Sequence, residues 1–162
     1  MIHTLEARQT VAADIDEVWE FFSNPENLAK VTPPQLGFVI TSKLPEKMYA
    51  GMIIGYKVRP LLNLPLTWVS EITQIKKRKF FIDEQRRGPY KMWHHEHHFR
   101  EVDGGVEIHD IISYELPLSP FSEPIHRLIV KKKLKEIFSF RETVAKQRFG
   151  FMDAAKATLT IN

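Results

Sequence analysis

The hydrophobic period of this chain changes once, near Pro117. Before that point apolar residues recur mostly at every second position. After it they recur three and four residues apart. A period of two marks half-buried strands, and a period of 3.6 marks an amphipathic helix. Strands gathered first and one long helix gathered last predict an α+β fold, an antiparallel sheet with its helices on one face.

The strand segments are legible one by one. Leu5, Ala7 and Val11 alternate with Thr4, Glu6, Arg8 and Thr10 over residues 2–11. Asp14 is placed to cap a short helix with Val18, Trp19, Phe21 and Phe22 on its apolar face. Asn24-Pro25 ends it, and a second short helix over 26–30 stops before Pro33-Pro34. Further strands are expected over 36–41, 52–59, 66–76, 79–87, 91–101 and 105–116, which makes seven. Gly88-Pro89 and Asp103-Gly104 supply turns, so the last three strands should form a meander.

From about Phe121 to Phe149 the pattern is helical, with Ser122 as N-cap, Pro124 in the first turn and Gly150 just past the end. Val130, Leu134, Ile137, Phe138, Arg141, Val144 and Ala145 form its inward stripe. Such a helix runs about 40 Å. Residues 1–150 are expected to be a single domain and residues 151–162, without clear signal, a C-terminal tail. A strongly curved sheet holding one long helix leaves an apolar space between them, the default place for a ligand.

Composition narrows the function. The 162 residues contain no cysteine, which removes disulfides, thiolate metal sites and a cysteine nucleophile. The net charge of +3 is too small to argue for nucleic acid. The polar, alternating first ten residues do not read as a signal peptide, and no apolar run reaches the length of a membrane span. A cytoplasmic protein is the expectation.

Chemistry concentrates in Trp93-His94-His95-Glu96-His97-His98-Phe99. Four histidines in five residues invite a metal, but on a strand they divide two and two between opposite faces. A metal site needs three or four convergent ligands, so none is expected here. Trp93 and Phe99 mark the odd-numbered face as the inner one. If Asp103-Gly104 is a two-residue turn, Phe99 faces Ile108, His97 faces Asp110, His95 faces Ile112 and Trp93 faces Tyr114. An inward His97–Asp110 pair could orient a ligand's polar head, act as general acid and base, or satisfy itself as a buried polar pair. No serine nucleophile context and no phosphate loop accompany it. Lys131, Lys132, Lys133 and Lys135 read as a solvated helix face, with anionic lipid or nucleic acid the competing partners. Arg59-Pro60-Leu61-Leu62-Asn63-Leu64-Pro65 is an apolar connection, either a lid at a cavity mouth or a packed loop.

Trp68-x-Ser70-x-Ile72, Phe81-x-Asp83-x-Gln85-x-x-Gly88-Pro89, Trp93-x-His95-x-His97-x-Phe99 and Asp110-x-x-x-Tyr114-x-x-Pro117 resemble the bacterial ligand-binding SRPBCC proteins. These belong to the START-like superfamily, whose fold is the helix grip. The resemblance covers residues 2–149. It implies a cavity for a hydrophobic small molecule such as a lipid, a quinone or a polyketide-like compound, held by a carrier or sensor without a cofactor. It equally admits a cyclase, dehydratase or hydrolase that uses His97 and Asp110. On this reading Trp68, Trp93, Phe99, Ile112 and Tyr114 give apolar wall. Asp83, Gln85, His95, His97 and Asp110 give the polar contacts. Nucleic acid is not an expected partner, and transient membrane contact is compatible. His94 and His98 are additions to the motif.

Overall fold

The computed structural model describes residues 1–59, 64–119, 121–150, 152 and 157–162. Most of the expected lid or connection, Pro60 to Asn63, lies outside the described residues, as does Pro120.

Strand β1 (His3–Val11) leads into helix α1 (Ile15–Phe22) and two short 3-10 segments, Pro25–Ala29 and Pro34–Leu36. Then follow β2 (Val39–Ile40), β3 (Met52–Val58), β4 (Leu66–Lys76), β5 (Phe80–Arg87), β6 (Met92–Val102) and β7 (Gly105–Glu115). A helix of 27 residues comes next. It opens as α2 (Glu123–Ile125), passes through a π-helical turn (His126–Val130) and continues as α3 (Lys131–Phe149). A last strand, β8 (Thr158–Ile161), closes the chain.

Among the described residues, eight strands form one antiparallel sheet in the order β2-β3-β4-β5-β6-β7-β1-β8. Seven strands were expected. The eighth comes from the segment read as a tail, where Ile161 pairs with Leu5 and is buried. Four residues with one buried side chain carry too little alternation to be seen in sequence. The strand expected over 36–41 shrinks to Val39–Ile40, because Pro33 and Pro34 set a 3-10 turn that reaches Leu36.

Local chemistry explains the elements. The Asp14 side chain accepts a hydrogen bond from the Asp16 backbone N–H and caps α1. Ser122 precedes the long helix but makes no side-chain cap bond. Gly104 takes φ +78° in the β6–β7 turn, a conformation that glycine adopts without strain. Two register shifts between β4 and β5 act as bulges that bend the sheet. The β6–β7 register pairs Phe99 with Ile108, His97 with Asp110, His95 with Ile112 and Trp93 with Tyr114.

Two apolar clusters hold the helix against the curved sheet. One joins α1, including Trp19 and Phe22, to Phe81, Phe99, Ala145 and Phe149. The other joins Leu5, Ile112 and Tyr114 to Leu134, Phe138 and Ile161. Among the described residues no helix is long and apolar enough to cross a membrane.

Candidate functional site

Between sheet and helix lies a cavity of about 530 Å³. Phe22, Leu28 and Val31 line it from α1 and the segment that follows, while Ile54, Tyr56, Trp68 and Ile72 line the sheet side. Leu134, Ile137 and Phe138 line the helix side. The walls are mostly apolar because strand alternation sends these side chains inward and the helix stripe faces them.

One patch of the wall is polar. Asp83 from β5, His95 and His97 from β6 and Arg141 from α3 meet there, with Asp110 of β7 behind them. His97 Nε2 lies 2.8 Å from Asp83 Oδ2, and His95 Nε2 lies 3.0 Å from Asp110 Oδ1. His97 Nδ1 is 3.0 Å from Asp110 Oδ1 and 3.1 Å from Arg141 Nη2. When protonated, that nitrogen donates to the carboxylate; when not, it accepts from the guanidinium. Arg141 Nη2 is also 3.2 Å from Asp110 Oδ1. On the far side, Ser70 Oγ donates to Asp83 Oδ1 at 3.4 Å, accepts from Trp68 Nε1 at 3.2 Å and lies 3.2 Å from the Tyr56 hydroxyl.

Electrostatics follow from these contacts. Burial pushes the Asp110 carboxyl up, but the charge of Arg141 and the bonds from His95 and His97 win and hold it well below the usual range. Asp83 is treated the same way more mildly: burial raises it, and His97, His95 and Arg141 bring it below 3.8. Burial, helped by the charge of His97, pushes His95 down to about 4 against the opposing bond to Asp110. Two carboxylates, one guanidinium and a neutral His95 therefore stand together in an apolar wall.

Asp83, His95 and His97 also offer three ligand atoms within 4.8 Å of one another, one way to hold a metal ion. Their rings do not suit it as they stand. The two imidazole centroids are 3.7 Å apart, whereas imidazoles sharing one tetrahedral ion sit about 5 Å apart. The set is a hydrogen-bonded cluster in this conformation. A second group, His3, Glu123 and His126, ties β1 to the start of the long helix. There His3 Nε2 lies 3.1 Å from Glu123 Oε1, and His126 Nε2 lies 2.7 Å from the Tyr114 hydroxyl.

Of the residues singled out from sequence, Trp68, Asp83, Trp93, His95 and His97 line the cavity. Asp110 is buried behind the two histidines. Gln85 points elsewhere: its amide bridges the Tyr90 backbone and shapes the 85–90 turn. Phe99 packs edge-on against Trp19 in the core, and Ile112 belongs to the second cluster. Tyr114 is fully buried with its hydroxyl on His126. Those four do not line the cavity. Alternation gives the face of a residue but not its depth along the strand. Arg141, Ser70 and Tyr56 also belong to the site, beyond the candidate residues that the sequence pattern marks. Arg141 left a signal, a lone cation in the apolar stripe of the helix; Tyr56 left none.

No family model and no curated protein matches the chain. Solved structures do match. A START superfamily protein from Mycobacterium smegmatis aligns with a TM-score of 0.67 at 11% identity, over 90% of this chain and 99% of that one. The chain has the START-like helix-grip fold. Protein TTHA0849 from Thermus thermophilus aligns with a TM-score of 0.67 at 14% identity, over 90% and 96%. Ara h 8.0201 aligns at 0.63 and 15%, over 91% and 99%. At these identities the START-like likeness is one of backbone, and the polar cluster is a property of this chain's own residues.

Proposed function

We propose that this protein binds a hydrophobic small molecule, lipid-, quinone- or polyketide-like, between its sheet and its long helix, as a carrier or sensor. The cavity carries the reading. Its volume of about 530 Å³ falls in the range of small-molecule sites, about 300–1,000 Å³, and its wall is apolar with one convergent polar patch. The apolar wall would take the body of the molecule. Asp83, His95, His97 and Arg141 would take its polar end. The START-like fold supports the same reading, because it sets a curved sheet around a long helix.

Native mass spectrometry of protein purified from its own host tests this. A co-purifying apolar compound is the expected result. An empty protein that also fails to take up an apolar fluorescent probe overturns it. Ile137→Trp, which fills the cavity from the helix side, should weaken probe binding at least about tenfold while the fold persists.

A second reading has one observation in its favour. His97 lines the cavity with Asp110 3.0 Å from its Nδ1 and Asp83 2.8 Å from its Nε2, so a substrate that displaces Asp83 from Nε2 would meet a histidine oriented by Asp110. On this reading the protein is a cyclase, dehydratase or hydrolase. Binding is favoured by the state of Asp83: it accepts from Ser70 Oγ at 3.4 Å, but His97, His95 and Arg141 hold it below its ordinary value, too weak a base to activate that hydroxyl.

A further inference from the structure

We propose that the rim of this cavity docks on an anionic membrane surface, through exposed apolar side chains flanked by the lysines of the long helix. The proposal rests on the carrier reading for its purpose, and on the surface itself for its chemistry.

The apolar residues at the rim are unusually open. Phe121 is 87% exposed, Leu118 80% and Leu128 76%, with Ile125 at 51% and Ile129 at 38%. Leu118, Phe121, Ile125 and Ile129 also line the cavity, so the patch is continuous with its entrance. Single exposed apolar residues are ordinary on a protein surface; a contiguous set around an opening marks an interaction site.

Charge decides what the partner is. Lys131, Lys132 and Lys135 stand in the first turns of α3, directly after the Leu128–Ile129 turn, and Lys135 lies four and three residues from the other two, the spacings that set side chains side by side. All three are exposed, as is Arg127. Glu136 on this stretch is paired with Lys133 at 2.8 Å, and Glu123 with His3. The face is therefore apolar at the rim and cationic beyond it. Apolar side chains that enter the headgroup boundary beside cations that meet anionic lipid are the pattern of an interfacial helix. The π-helical turn His126–Val130 carries Leu128 and Ile129 outward while His126 stays buried against Tyr114. A protein partner would be expected to match the apolar rim but not to require the lysines. A bilayer uses both, and it supplies an apolar molecule directly at the mouth.

The test is co-sedimentation with vesicles of phosphatidylcholine alone and of phosphatidylcholine carrying about a third phosphatidylglycerol. Binding to the anionic vesicles that falls as salt rises is the expected result. Lys131→Glu, Lys132→Glu and Lys135→Glu together should weaken it on the order of a hundredfold, at about 1 kcal/mol per lysine. Phe121→Asp and Leu128→Glu should also weaken it at least about tenfold. These side chains are exposed, so the variants should keep the wild-type melting temperature, and any variant that loses it is replaced by Phe121→Ser or Leu128→Ser. No binding to anionic vesicles overturns the proposal. So does binding that Phe121→Asp leaves unchanged, or sedimentation as a dimer that Phe121→Asp dissolves. The apolar fluorescent probe, measured without vesicles, separates the two readings. Probe uptake without vesicle binding removes the docking surface and leaves the carrier. Vesicle binding without uptake does the reverse.

Discussion

The guanidinium of Arg141 on the long helix lies 3.2 Å from the carboxylate of Asp110 on β7, and both side chains are buried. This ion pair joins the helix to the sheet beneath the cavity, where apolar contacts alone would leave two carboxylates unbalanced. Arg141 also lies over the Phe22 ring at 4.9 Å, which ties the same cation to α1. Removing one partner of a buried pair leaves the other charge stranded.

Arg141→Met should therefore cost about 3–5 kcal/mol of stability, measured by urea unfolding. Asp110→Asn should cost a similar amount, and the double variant less than the sum. Additive losses would mean that the two groups do not interact.

His97→Ala should weaken retention of a bound apolar molecule by about tenfold to a hundredfold, equivalent to about 1.5–3 kcal/mol, if that residue holds the polar end. A lower melting temperature with unchanged ligand affinity would assign the His97 cluster to structure alone. Lost turnover with binding intact would select the enzymatic reading instead.

Acid should loosen the start of the long helix. Burial, and the neighbouring charge of His3, hold the His126 pKa below its ordinary 6.5. The unfolded chain therefore takes up the proton first. The stability associated with neutral His126 is present above about pH 6.5 and is lost as pH falls below it. The melting temperature of the wild type should drop between about pH 7 and pH 5, and His126→Gln should show a shallower drop. Equal slopes in the two proteins would exclude His126 as the sensor.

Zinc should not be held tightly. His95 and His97 are engaged with Asp110 and Asp83, and their rings stand too close for a shared tetrahedral ion. Metal analysis after chelator dialysis and zinc loading should find less than one ion per chain. Stoichiometric zinc, lost in Asp83→Asn, would show that the cluster opens to become a metal site.

Sequence alone determined the architecture and part of the site. The change from period two to period 3.6 carries the order of strands and helix. Asp103-Gly104 set the β6–β7 register, and with it the pairing of His97 with Asp110. These are local quantities: pattern, turn chemistry and the two-fold alternation of a strand. Tertiary structure decided what depends on distance between elements. Asp83 reached His97 only once β5 lay beside β6. Arg141 reached Asp110 only once the helix crossed the sheet. Gln85 and Tyr114, although part of the same motif as His97, turned to a loop and to His126. β8 arose because β1 had an open edge, and Ile161 could bury itself beside Leu5. Periodicity tells a side chain which face to occupy; the curvature of the sheet and the seat of the helix tell it what it will meet there.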